Sequence, residues 1–162
     1  MRIAICSGSY DPITLGHVDI ITRSSKLFDK VVALLLVNPL KSPSFSVEER
    51  VELIRASVSH LPNVEVDTHS GLLVDYAKKT GAGTIIRGLR AVTDFEYEFQ
   101  MALINKKLCP EVETLYLNTS AEYLYLSSSI VKQVANFGGD ISPFVPAAIL
   151  DQVDRKLNPN RN

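Results

Sequence analysis

The segment GSYDPITLGH, residues 8–17, places two glycines, a serine, an Asp-Pro pair and a histidine directly after the apolar run IAIC. A plain strand-to-helix connection needs about two to six residues and no histidine. Gly8 and Gly16 carry no side chain, so backbone can pass close to a ligand there. Thr14 suits the N-cap of a following helix, which puts Gly16 and His17 in its first turn. Free N–H groups and the positive end of the helix dipole favour an anion at that position. An imidazole there can donate a hydrogen bond to a phosphate oxygen. The same histidine can also simply help to cap the helix, and the residues alone leave both readings open.

Three further cations fall in loops. Lys41 lies in NPLKSPSFS, and Arg87 and Arg90 open RGLRAVTDFEYE. The two arginines straddle Gly88, where a pair of guanidinium forks can grip phosphate oxygens bidentately. The serines 127–129 open a later helix; they either cap it or offer hydroxyls and N–H groups to a triphosphate. Asp94, Glu96 and Glu98 fall in a first helical turn, where acids are favoured, and Glu98 can also accept from a ribose hydroxyl. His60 and His69 are assigned to surface or core. Cys6 and Cys109 lie far apart without metal-type spacing and read as buried thiols. There is no G-x-G-x-x-G after the first strand and no G-x-x-x-x-G-K-[ST], which speaks against a dehydrogenase and excludes an ordinary P-loop. No group of carboxylates forms a dedicated metal cage, so Mg²⁺ would ride mainly on substrate phosphates.

These residues need a scaffold, and the apolar pattern supplies one. Strand-length runs RIAIC, VVALLLV, VEV, TIIR and TLYL alternate with helix-period stretches. VVALLLV is apolar throughout, as for a strand covered on both faces. Residues 47–61 carry a helical stripe behind a Ser46–Glu49 capping box, and Thr93–Glu96 repeats the device. A helix near 72–79 stops at Gly81, a left-handed cap. Pro146 suits the first position of a last helix. The alternation predicts one α/β domain over residues 1–157, a parallel sheet with helices on both faces, and a disordered tail over 158–162. Ligands in such sheets bind beyond the carboxyl ends of the strands, which is where every polar loop named above falls.

Composition narrows the function. Among 162 residues, 18 acids nearly balance 17 bases, so nothing global points to nucleic acid or a membrane surface. VVALLLV is far too short to span a bilayer. The start MRIAIC shows no signal-peptide architecture, so a cytoplasmic location is expected.

With these residues in place, GSYDPITLGH resembles the T/H-x-G-H motif of the nucleotidyltransferase superfamily, and SSSIVK resembles its second signature. NPLKSPSFSVEER, IIRGLRAVTDFEYEFQMALIN and YLSSSIVKQVA are similar to the bacterial phosphopantetheine adenylyltransferases, and the likeness runs from Ile3 to Leu157. EYLYLSSS departs from the second motif usual in the cytidylyltransferase branch. The resemblance implies a Rossmann-like five-stranded sheet, a homohexamer, and transfer of the adenylyl group of ATP to 4′-phosphopantetheine with Mg²⁺. It implies contacts to phosphopantetheine from Ser9, Lys41, Leu73 and Arg87. ATP would be held by Ser9, Tyr10, His17, Gly88, Leu89, Arg90 and Glu98, with the loop Tyr123, Leu124, Tyr125, Leu126, Ser127, Ser128 and Ser129. His17, Lys41 and Arg90 would carry catalysis. Many relatives have Thr and Phe at positions 9 and 10; Ser9 and Tyr10 keep the hydroxyl and the aromatic body. The competing readings are another adenylyl- or cytidylyltransferase, acting on nicotinamide mononucleotide or a phospho-alcohol, and a non-catalytic ATP-binding module.

Overall fold

The computed structural model describes residues 1–40 and 42–161, apart from the side chains of residues 92–94 and 161. Strand β1 (Ile3–Gly8) buries its four middle residues and pairs in parallel with β2 (Lys30–Val37) on one side and β4 (Thr84–Leu89) on the other. Edge strands β3 (Val64–Ser70) and β5 (Glu113–Asn118) complete a parallel sheet in the order β3-β2-β1-β4-β5. The five-stranded α/β architecture expected from the sequence is the one observed.

Alternation along each strand divides the interior in two. Ala4, Cys6, Val31, Ala33, Leu35 and Ile86 face one core, shared with α1 (Leu15–Ser25), α2 (Val47–Val58), α5 (Ser128–Asn136) and α6 (Leu150–Leu157). Ile5, Val32, Leu34 and Ile85 face the other, closed by α3 (Leu73–Thr80) with Cys109 and Val112. This is why β2 tolerates almost no polar residue: it is covered on both sides. Both cysteines are free and buried.

From β1 the chain moves outward through β2 to β3, then returns to lay β4 against the opposite flank of β1. The topological switch point therefore falls between β1 and β4, where the crevice beyond the strand ends receives ligands in sheets of this kind.

The cap at α2 forms as its sequence suggests: Ser46 Oγ accepts from the Glu49 amide, and the Ser46 amide donates to Glu49 Oε2 at 2.7 Å. Gly81 ends α3 at φ 69°, a conformation that needs no Cβ. Four boundaries differ. β3 runs through the polar residues 67–70, because pairing with β2, rather than apolar content, holds an edge strand. Helix α4 (Val92–Leu108) begins with Ala91 as its N-cap, so Thr93 lies inside the helix and the expected box with Glu96 is not its cap; its start is set by the end of β4 at Leu89. Pro146 precedes a 3₁₀ turn, Ala147–Ile149, and α6 starts only at Leu150. Where composition suggests a loose tail, Asn158 is buried and Pro159–Arg161 forms a 3₁₀ turn.

Candidate active site

A cavity of about 500 Å³ opens at the switch point, floored by Cys6, Ser7 and Ile86. Its walls bring together eleven of the residues expected there: Ser9, Tyr10 and His17 from the segment after β1; Arg87, Gly88 and Arg90 from the end of β4; Glu98 from α4; and Tyr123, Leu126, Ser127 and Ser128 from the segment before and opening α5. A smaller cavity of about 340 Å³ adjoins it, with Ser9 and Ser128 lining both; Ser129 faces this second space. Leu73 does not line either cavity and packs against the core beneath α3. Leu89 is absent from both walls, and Leu124 and Tyr125 are exposed at 47% and 60%. Lys41 lies outside the described residues.

His17 satisfies both of its sequence readings at once. It occupies the third position of α1, where its amide donates to Thr14 Oγ1 and its Nδ1 accepts from the Thr14 amide at 3.0 Å. Accepting at Nδ1 leaves the proton of the neutral ring on Nε2, so the cap itself fixes the tautomer. The ring stands edge-on to Tyr10, with centroids 5.1 Å apart. Burial pushes the imidazole pKa down to about 4, and the guanidinium groups of Arg90 and Arg87 push the same way. His17 is therefore a neutral Nε2–H donor at neutral pH.

The sign of the linkage follows. The native pKa lies below the value of about 6.5 in an unfolded chain. His17 thus favours the native state fully above pH 6.5, and that contribution is lost as pH falls toward 4. In ¹⁵N-detected imidazole spectra the Nε2–H tautomer is expected to persist well below pH 6; a midpoint at or above 6.5 would contradict this assignment.

Tyr10 braces the histidine. It is buried, sits at φ 45°, and donates from its hydroxyl to the Cys6 carbonyl at 2.6 Å. A Cβ on Gly8 would stand 3.2 Å from the Tyr10 ring. Gly8 is small enough to admit the Tyr10 ring, and it also lines the cavity, where the sequence suggests close approach of a ligand.

Arg87 and Glu98 were expected to meet a phosphate and a ribose separately, and they meet each other. Arg87 Nε and Nη2 donate to the two carboxylate oxygens of Glu98 at 2.7 and 2.6 Å, and Nη1 donates to the Ser7 carbonyl and to Ser7 Oγ. Burial works against the Arg87 charge, and Glu98 more than restores it, raising its pKa. Arg90 Nη1 donates to the Leu126 carbonyl at 2.8 Å and so fixes the Tyr123–Ser127 segment over the cavity. The serines divide their work. Ser127 caps α5 by accepting from the Ile130 amide, whereas Ser128 donates to the Pro12 carbonyl at 2.7 Å.

Sequence reasoning missed Ser7, Thr119 and Tyr97 in the larger cavity, and Asp11, Arg50 and Lys132 in the smaller one. Lys132 was findable, since it stands one helical turn after Ser128 on a helix already assigned. Among the described residues no group of three or more His, Cys, Asp or Glu could hold a metal. No helix among them is long and apolar enough to cross a membrane.

Residues 5–134 match the cytidylyltransferase-like family. The chain is 57% identical over 157 residues to the phosphopantetheine adenylyltransferase of Caldanaerobacter subterraneus subsp. tengcongensis, covering 97% of this chain and 98% of the relative. It is 58% identical over 158 residues to that of Clostridium tetani, covering 98% and 99%. Its fold is similar to the solved Plasmodium falciparum nicotinic acid mononucleotide adenylyltransferase complexed with APC, with a TM-score of 0.72 at 13% identity over 99% of this chain and 98% of that one. At that identity the likeness concerns the fold alone.

Proposed function

The chain belongs to the cytidylyltransferase-like family and, within it, to the phosphopantetheine adenylyltransferases, and from that premise we infer a direct adenylyl transfer in the cavity between β1 and β4. The enzyme transfers the adenylyl group of ATP to 4′-phosphopantetheine, giving dephospho-coenzyme A and pyrophosphate. The observation that carries this reading is the convergence of a neutral imidazole donor, two guanidinium groups and four serines on one cavity at the switch point.

The nucleophile is the phosphate of phosphopantetheine, whose second pKa of about 6 leaves it anionic at neutral pH. It needs no general base, which accounts for a site without a Ser–His pair or paired free carboxylates. A phosphate oxygen attacks the α-phosphorus as the bond to the β-phosphate oxygen breaks, and pyrophosphate leaves. Catalysis is then alignment and charge stabilisation. His17 donates from Nε2 to oxygens of the α-phosphate as charge develops there. Arg90, Ser128 and Ser129 support the departing pyrophosphate, and Arg87 with Lys41 holds the attacking phosphate. Glu98 aligns Arg87 through their paired contacts and reaches the nucleotide from the same wall.

Mg²⁺ bound to the nucleotide would neutralise phosphate charge. The donor set fits an ion held that way: Glu98 is the carboxylate among the described residues of the larger cavity, and both its oxygens are engaged by Arg87, while Ser9 and Ser128 line the same cavity.

The enzyme acts as one domain, in the cytoplasm and as a homohexamer. In support, α4 and β5 leave large apolar side chains exposed, including Phe95, Tyr97, Leu103, Ile104 and Leu115. Large apolar side chains left exposed in this number suit an interface, and light scattering is expected to give the mass of six chains.

Incubation with ATP, Mg²⁺ and 4′-phosphopantetheine should yield dephospho-coenzyme A by mass. Pyrophosphate released only with nicotinate or nicotinamide mononucleotide in a parallel panel, or only with CTP, would replace this reading.

A further inference from the structure

The carboxylate of Asp11 is involved in no step above, yet it is among the most heavily engaged groups near the site. It is buried, with its side chain 10% exposed. Oδ1 accepts from the Phe45 amide at 2.9 Å, the Ser44 amide donates to both oxygens at 3.0 and 3.1 Å, and Oδ2 accepts from Lys132 Nζ at 2.8 Å. These donors come from two places distant in sequence. Ser44 and Phe45 belong to the loop between β2 and α2, three and four residues after Lys41 in the chain; Lys132 belongs to α5, one turn beyond Ser128.

The residues flanking Asp11 are tied in the same directions. Buried Arg50 of α2 donates to the Ser9 carbonyl at 3.0 Å, and Ser128 of α5 donates to the Pro12 carbonyl. The backbone from Ser9 to Pro12 is thus clasped on one side by α2 and the loop before it, and on the other by α5. Asp11 is the residue whose single side chain reaches both sides.

We propose that Asp11 is a positioning residue for the transfer: its carboxylate holds the β2–α2 loop and α5 in fixed relation to the segment that carries Ser9 and His17. The proposal rests on the adenylyl-transfer reading, because the segments it joins are the ones that flank the attacking and departing phosphates there. The chemistry requires an aspartate. Two amides and an ammonium group all donate, and a carboxylate has acceptor oxygens for all three. Asparagine has one acceptor oxygen, so its NH₂ must face either the amides or Lys132. Burial disfavours the charged carboxylate; the hydrogen bond from Lys132 and those from the Ser44 and Phe45 amides overcome it, leaving the pKa below the ordinary value.

The test compares wild type with Asp11→Asn, Lys132→Met and the double variant. Turnover is read with ATP and 4′-phosphopantetheine, ATP affinity by calorimetry, and peptide-level hydrogen exchange at a temperature where circular dichroism shows every variant folded. Asp11→Asn is expected to lower kcat by about 10–10²-fold, the loss that slight misalignment of reacting groups produces, with the ATP Kd changed less than about threefold. Lys132→Met moves kcat in the same direction, and the double variant is no worse than Asp11→Asn alone, as for two residues acting through one contact. Exchange should rise in Asp11→Asn over residues 9–16, over 42–46 and at the start of α5 together. Retention of kcat within about threefold would overturn the proposal, as would a comparable loss of ATP affinity, or an exchange increase confined to one of the three segments. A wild type that forms no dephospho-coenzyme A sinks the transfer reading instead, and the exchange pattern still decides whether Asp11 joins the three segments.

Discussion

His17→Ala is expected to lower kcat for dephospho-coenzyme A formation by about 10²–10³-fold, the loss that follows removal of one preorganised donor to developing oxyanion charge. Alanine also removes half of the cap on α1, since the Thr14 amide loses Nδ1, and that loss costs about 1 kcal/mol of stability. The two roles separate in His17→Gln. Glutamine at the third position of a helix completes a capping box with a threonine N-cap, so it restores the structural function without an imidazole. If His17 only caps the helix, His17→Gln keeps its turnover. The neutral Nε2–H donor inferred above predicts that it melts like wild type and turns over like His17→Ala. Activity should be measured as kcat at saturating ATP and phosphopantetheine, with the melting curve of each variant alongside.

Arg87→Ala should produce the second large effect. It removes a guanidinium charge from the cavity, so kcat/KM for phosphopantetheine is expected to fall on the order of 10²-fold through loss of that charge beside the attacking phosphate. It also leaves Glu98 behind with its side chain only 14% exposed. Breaking one partner of such a pair destabilises by about 3 kcal/mol, because the remaining charge has nothing to meet. Arg87→Met combined with Glu98→Gln should recover most of that stability, as apolar or neutral replacement of both partners often does. It should not recover activity. A double variant that regains turnover would mean that the pair is structural and that the phosphate is held by other groups.

Why this pairing escaped the sequence is instructive. Arg87 and Glu98 are eleven residues apart, one at the end of β4 and the other in the second turn of α4. Their meeting depends on the angle at which α4 folds back over the strand end, and no local pattern encodes that angle. The strand and helix alternation was legible because covered strands and amphipathic helices announce themselves in periodicity. His17 was legible because a threonine N-cap three residues before it places it by local geometry alone. The polar half of β3 was not, since residues 67–70 are held by hydrogen bonds to β2 and not by side-chain burial. Gly8 was legible as a site of close approach, but the Tyr10 ring that also packs against it was not, because that ring lies beneath it only once the loop has closed. Asp11 drew notice only as part of an Asp-Pro pair, while its three donors came from residues 33, 34 and 121 positions away. Leu73 was carried to the site by family likeness, and the position of α3 packs it against the core that α3 closes.

The mechanism depends most on a single direct displacement, with no adenylylated intermediate on the protein. Cys6 floors the cavity, but burial pushes its thiol up to about 11, and Ser24 Oγ accepts from it at 3.5 Å. Ser128 commits its proton to the Pro12 carbonyl. Neither is poised as a nucleophile.

The stereochemical course at the α-phosphorus tests this most directly. With one diastereomer of adenosine 5′-O-(1-thiotriphosphate) as donor, a single in-line displacement by phosphopantetheine predicts dephospho-coenzyme A phosphorothioate of inverted configuration at that phosphorus. Net retention would require an adenylylated intermediate on the protein and would contradict the account.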